Sequence, residues 1–311
     1  MSRRPLRSGL KRIAARWPQP SLAAASAVAW STQALGRGVS VEALHEVLPD
    51  LDRAELDAAR RATWSSSLRR AVLAAALSVP GASRPYPRLV RGPDPSAIPA
   101  PAVLATFHVG PLQAMGLLFE RLAADVLVLQ AADENGFPPP RPGFTRMHVG
   151  DDEWQRALVF RDALKALHAG NYVCLAVDGY GAPQLAAPLL GRRVRLARGA
   201  FALARMTGAP IIPTAPRWRG TGIEIVAGDP VAPGDDPAMA AALTRWLESF
   251  VRESPGEIMP ALVALLREGA PLADAAVEEG VAQPVVADLA VSRARDRAWR
   301  HDGHQPGYEA G

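Results

Sequence analysis

One stretch limits the folds open to this chain more than any other: Ala102-Val-Leu-Ala-Thr-Phe-His108-Val-Gly-Pro-Leu-Gln113. Residues 102–107 are compact and mostly apolar, the length of a buried strand, and Gly110-Pro111 breaks the run. Beyond the break, Leu112, Met115, Leu118, Phe119 and Leu122 recur at helical spacing. A histidine therefore stands where a core strand gives way to a helix. In open α/β sheets, the carboxyl end of a strand is where ligands bind. An imidazole placed there suits a general base, because its unperturbed pKa lies near neutrality. Taken alone, it equally suits a structural bond to a neighbouring carbonyl.

The alternation continues downstream. Residues 124–130 read as a strand, 152–168 as a helix with Trp154, Leu158, Leu164 and Leu167 inward, and 172–177 as a buried strand. Cys174 in that strand reads as a small core residue. Strand, helix, strand argues a βαβ-type sheet and an α/β fold. The loop 133–150, with Pro138-Pro139-Pro140 and His148, has the length of a lid or binding segment. Asp178-Gly179 ends the 172–177 strand, and parallel strands would bring its carboxylate to the same edge as His108. A turn-forming aspartate is the plainer alternative.

Next comes an arginine-rich block, Arg192-Arg193-Val194-Arg195-Leu196-Ala197-Arg198-Gly199, just before a helix at 200–207. Arginines beside a helix N-terminus suit a phosphate group; a solvated basic hairpin is the other reading. Ala209-Pro210-Ile-Ile-Pro213 opens another strand, and 222–227 alternates weakly, as an edge or near-edge strand does. A helix over 238–253 and the apolar pieces at 258–266 complete the pattern.

Upstream, Leu6, Leu10, Ile13 and Trp17 share one helix face, and six basic residues from Arg3 to Arg16 occupy much of the rest. That is the pattern of a helix lying in a membrane interface, although a frayed basic terminus has it too. Residues 21–36 are apolar but thin, and shorter than the ~20 residues a spanning helix needs. With its weak apolar centre this segment reads as a retained membrane-associated helix rather than a signal peptide. Residues 41–79 read as helical, with Asp52 capping a helix over 53–61, and a Pro/Gly/Ser-rich connector leads to residue 102.

In the order helical pair, strand-His-x4, strand-Asp-Gly, Arg/Gly block and Ala-Pro-x-x-Pro, the chain resembles the lysophospholipid acyltransferase superfamily over roughly residues 1–266. It is most similar to the branch of lipid A lauroyl/myristoyl acyltransferases, whose block reads roughly His-Phe-Gly-Asn-Trp-Glu. Here it reads His108-Val-Gly110-Pro-Leu-Gln113: histidine and glycine match, and Gln113 stands where the acid would be.

The resemblance implies a single acyltransferase-like domain with a mixed, mostly parallel sheet flanked by helices. It implies transfer of a fatty acyl chain from an acyl thioester, on acyl carrier protein or coenzyme A, to a hydroxyl of a lipid or glycolipid. His108 would be the base, with Gln113 or Asp178 (or Glu120) in the acid's place. Gly110, Arg192, Arg193, Arg195 and Arg198 would contact substrate. No cofactor or metal is implied. A catalytically impaired lipid-binding or scaffold homologue is the alternative, because Gln113 cannot neutralise an imidazolium.

The expected division is a membrane-associated segment at 1–36, an α/β domain at 37–271 and a loosely ordered polar tail at 272–311, which includes His301 and His304. The expected place is the cytoplasmic face of the inner membrane. A net charge of +4 over 311 residues is not the field of a nucleic-acid binder. With the single cysteine Cys174, no internal disulfide forms.

Overall fold

The computed structural model describes residues 4–32, 39–79, 89–130, 143–150, 152–179 and 184–272. The contacts divide the chain into Met1–Leu272 and Ala273–Gly311, and the second unit, with the expected polar tail, lies outside the described residues.

Four helices come first: α1 (Arg4–Arg16), α2 (Pro18–Ser31), α3 (Val41–Val47) and α4 (Arg53–Leu77). The starts of α2, α3 and α4 are legible in their residues. Pro18 and Pro20 sit in the first turn of α2, where a missing N–H costs nothing. Ser40 caps α3 through the Ala43 N–H. Asp52 and Glu55 form a reciprocal capping box on α4, each carboxylate accepting the other's backbone N–H at 2.8 Å. The helix expected over 53–61 runs on to Leu77. Its buried stripe is Leu56, Ala59, Thr63, Ser66, Arg69, Arg70, Leu73, Ala76 and Leu77. That is helical spacing carried through polar residues, which an apolar count does not see.

The core follows: β1 (Val90–Arg91), β2 (Ala102–Thr106), α5 (Met115–Phe119), β3 (Val126–Gln130), β4 (Phe144–His148), α6 (Glu153–His168), β5 (Tyr172–Ala176), β6 (Gln184–Leu189) and β7 (Arg192–Ala197). Then come α7 (Gly199–Thr207), β8 (Ile211–Arg219), β9 (Gly222–Ala227), α8 (Asp236–Glu253), α9 (Pro260–Glu268) and β10 (Ala270–Pro271). Seven strands form one sheet in the order β1-β9-β8-β2-β5-β3-β4. All neighbours in it are parallel except β8 and β9, so the sheet is mixed and mostly parallel. β6 and β7 make an antiparallel hairpin that β10 extends to three strands.

Two expectations change. Part of the 133–150 loop is the edge strand β4, anchored by buried Phe144; residues 131–142 lie outside the described ones. The helix after Pro111 is a 3-10 turn at Leu112–Ala114 followed by the short α5.

Helices cover both sheet faces. Val103, Ala105 and Phe107 of β2 and its extension pack with Val173, Leu175 and Val177 against α3, α6, α7, α8 and α9. Ala102 and Leu104 pack with Tyr172 and Cys174 against α1, α2, α4 and α5. The two-residue period of a strand thus feeds two separate cores. Among the described residues no helix is long and apolar enough to cross a membrane.

Candidate active site

The site is a consequence of strand register. β2 and β5 are adjacent and parallel, pairing Ala102 with Tyr172 through Thr106 with Ala176. The pairing extends one step further, where the Val177 N–H donates to the Thr106 carbonyl at 2.9 Å. Two residues past each strand, His108 therefore meets Asp178. The Asp178 carboxylate takes two bonds from that one residue. Oδ2 accepts the His108 backbone N–H at 2.7 Å, and Oδ1 lies 3.0 Å from ring Nδ1.

The Asp178 side chain is fully buried, while that of His108 retains 17% exposure. Both Asp178 oxygens are hydrogen-bonded, as a buried carboxylate requires. With Nδ1–H as the donor to Oδ1, the imidazole lone pair is on Nε2. A carboxylate that sets the tautomer of a histidine and stabilises its protonated form is the logic of a catalytic triad.

The remaining motif residues are placed as follows. Gly110 has φ +61°, and a Cβ on it would lie 1.7 Å from the Pro216 carbonyl oxygen of β8. Here the glycine permits both the left-handed turn and the close approach of two backbones. Its N–H donates to the Glu257 carbonyl at 2.8 Å. Gln113 lies in the 3-10 turn, with its Oε1 buried and without a hydrogen-bond partner. Glu120 is exposed at the far end of α5. Of the three residues considered for the acid's place, the structure brings Asp178 to His108.

The arginines divide along β7. Arg198 follows its C-terminal end, which lands beside the site because the Ala197 N–H donates to the Val177 carbonyl at 2.8 Å. Its guanidinium is bonded to buried Asp236, which also holds Arg205. Arg192 is at the opposite end, bonded to the Gly269 carbonyl and to Glu46. Arg193 pairs in register with Ala270 of β10. Arg195 is exposed in mid-strand, between buried Val194 and Leu196.

A buried polar cluster adjoins the motif, and the sequence reading does not single it out. Glu257, 7% exposed, accepts from the Trp218 backbone N–H at 2.9 Å and from Ser66 Oγ at 3.2 Å. Ser66 in turn accepts from Arg70 at 3.2 Å and from the Trp218 indole N–H at 3.1 Å. Arg69 lies over the Trp218 ring at 3.8 Å and donates to the Gly220 carbonyl. Burial raises the Glu257 carboxyl above its ordinary range and pushes both guanidiniums down to about 10, which leaves them charged at neutral pH. The sequence signal was the pair Arg69-Arg70 on the inward stripe of α4.

Among the described residues, no group of three His, Cys, Asp or Glu side chains is placed to hold a metal ion. Burial pushes the Cys174 thiol up to about 12, so it stays protonated and inert. His301 and His304 lie outside the described residues.

A histidine-carboxylate pair at adjacent parallel strand ends defines a candidate proton-transfer site on an α/β scaffold. Residues 100–259, just over half of the chain and spanning both partners, match the bacterial lipid A biosynthesis acyltransferase family. The chain belongs to that family, and acyl transfer is the chemistry it implies. Among solved structures, the chain is similar to the 1-acyl-sn-glycerophosphate (LPA) acyltransferase PlsC from Thermotoga maritima. The identity is 13% over 75% of this chain and 85% of that one, with a TM-score of 0.28. No curated protein matches the chain.

Proposed function

We propose that the protein moves a fatty acyl chain from an acyl thioester, on acyl carrier protein or coenzyme A, to a hydroxyl of a lipid or glycolipid at a membrane surface. The observation that carries this reading is the bonding of Asp178 to both the backbone and the ring of His108. Nε2 removes the hydroxyl proton as the oxygen attacks the thioester carbonyl, so the C–O bond forms while the proton passes to the imidazole. Collapse of the tetrahedral adduct breaks the C–S bond. The imidazolium, held by Asp178, then returns its proton to the leaving thiolate. Asp178 thus does the work of the family's motif acid, from the neighbouring strand instead of from the following helix. The chain's own residues are sufficient for every proton in this scheme.

The N-terminal helices support the membrane setting. Leu10, Ile13 and Trp17 are each more than half exposed, and Ile13 and Trp17 line a shallow apolar hollow with Pro20 and Ala24. Lys11, Arg12 and Arg16 lie in the same helix. An exposed apolar stripe beside cationic side chains suits an anionic lipid surface. In this reading that surface is the cytoplasmic face of the inner membrane, with the helices lying on it. Arg195 is the arginine of the block best exposed to meet a phosphate of donor or acceptor.

Lipid mass spectrometry of cells with and without the protein tests the function. The expected result is one lipid that lacks a single acyl chain in the deletion strain and regains it with wild type but not with His108→Ala. Full complementation by His108→Ala overturns the reading and favours the lipid-binding scaffold.

A further inference from the structure

The segment that carries His108 does not end in open loop. Val109 forms an antiparallel bridge with Ile258. The bonds around it are Gly110 N–H to the Glu257 carbonyl at 2.8 Å and Met259 N–H to the His108 carbonyl at 3.2 Å. Residues 257–259 are therefore a strap laid along 108–110. His108 is gripped at both backbone groups, its N–H by Asp178 and its carbonyl by the strap.

What holds the strap comes from elsewhere in the chain. The Glu257 carboxylate ties together β8, through the Trp218 N–H, and α4, through Ser66. Gly256, next to it, sits so close to α4 that a Cβ would lie 2.3 Å from that of Ala62. The charged groups facing Glu257 are Arg69 and Arg70 of α4. Arg217, adjacent to Trp218 on β8, is bonded to Glu224 and Glu253 instead. Asp178, two residues past β5, is a charged partner of the His108 ring.

We infer that Glu257, locked by Ser66 and Arg70 of α4, is a positioning residue that holds His108 in line with Asp178 through the 257–259 strap. The site is then completed by a helix outside the family match at residues 100–259. Burying a carboxylate and two guanidiniums beside a strap is costly unless they are paired and hydrogen-bonded, so the cluster tolerates little displacement. Displacing a reacting group by about 1 Å can cost 10²-fold in rate, so such a lock has a use. Glu257 touches no reacting atom, and the inference rests on the reading of His108 as the base.

The test is Glu257→Gln, studied by kinetics and by NMR titration of the ring-labelled His108 in the full chain. The amide still accepts from Trp218 but turns donors toward Ser66 and Arg70, so the strap loosens. The expected result is kcat lower by about 10- to 100-fold with KM within about twofold. The His108 titration midpoint falls as well, because a looser contact with Asp178 stabilises the imidazolium less. Ser66→Ala, which removes one bond to Glu257, shows the same pattern more weakly and serves if Glu257→Gln does not fold. A merely structural Glu257 lowers the melting temperature and leaves kcat per folded molecule and the His108 midpoint where they were; that result overturns the inference. The two readings are separable. If wild type transfers no acyl chain, the shift of the His108 midpoint still reports on the strap.

Discussion

Asp178 holds His108 twice, through Oδ2 on its backbone N–H and through Oδ1 on its ring Nδ1. The first bond fixes where the residue sits and the second fixes which ring nitrogen carries the lone pair. Asp178→Asn should separate them. The amide can still accept the backbone N–H, but its own N–H then faces Nδ1 and moves the ring proton to Nε2. The fold should survive while kcat drops by roughly 10⁴-fold, the scale of the same change in a serine-protease triad. Steady-state transfer assays alongside a folded-state spectrum check both halves of this expectation.

Gln113 stands at the motif's acid position, yet its Oε1 is buried and has no partner. Gln113→Glu would restore the motif while adding a second carboxylate in a site where Asp178 is already placed. We expect kcat to stay level or fall, with stability lowered by about 1–3 kcal/mol for the charge that finds no donor. A rise in kcat at neutral pH would mean that Gln113, not Asp178, occupies the orienting position. Urea unfolding and kcat on the same preparation decide it.

Some of this architecture is visible in the sequence for a physical reason. The runs 102–107 and 172–177 are short, apolar and closed by turn residues, because both faces of β2 and β5 are buried. As neighbouring parallel strands they bring His108 and Asp178 to one edge. Other parts are not visible, for equally physical reasons. β4 is an edge strand whose first residue alone is buried, so it carries no alternation to detect. α4 lies within the span read as helical, but it buries Thr63, Ser66 and Arg70 where a stripe would show leucines, and this hides which face turns inward. Glu257 lies 149 positions past His108 in the sequence, and no spacing rule links two residues joined by a single bridge between Val109 and Ile258.

Gly110→Ala tests the close approach of the motif turn to β8. The added methyl would overlap the Pro216 carbonyl, which is backbone and cannot swing aside. Strain from positive φ adds to the clash. We expect a loss on the order of 3 kcal/mol or failure to fold. Gly191→Ala in the β6–β7 turn is the control. It has φ +72° with nothing within 4 Å, so only the backbone term of about 1 kcal/mol should appear in urea unfolding.

Membrane attachment is better tested by substitution than by removing residues 1–36. α2 buries Leu22, Ala25 and Ala29, and Leu22 packs in the same core as Leu73 and Leu77 of α4, so deletion would uncover core. Ile13 and Trp17 are exposed and can be changed without that penalty. Ile13→Asp with Trp17→Asp should weaken sedimentation with anionic vesicles by at least about tenfold, given 1.5–3 kcal/mol per large apolar side chain withdrawn from lipid. Raising salt should weaken wild-type binding as the arginine contacts are screened. Unchanged sedimentation of the double variant would place the membrane contact elsewhere.

The arginine block separates into structural and exposed members. Arg198→Ala leaves buried Asp236 paired with Arg205, so it should cost about 1 kcal/mol of stability, the exposed side of the pair being screened by solvent. Its KM should stay near wild type, because the guanidinium is already committed to Asp236. Arg195 is exposed on β7 between two buried neighbours, so Arg195→Ala should leave unfolding unchanged. If Arg195 grips a phosphate of donor or acceptor, the same substitution raises KM several-fold, as loss of a charge-assisted hydrogen bond does. Arg195→Lys should recover only part of it, since an ammonium offers a point charge and not a planar fork. Equal KM values for wild type and Arg195→Ala would remove Arg195 from substrate binding and leave it a solvated member of the hairpin.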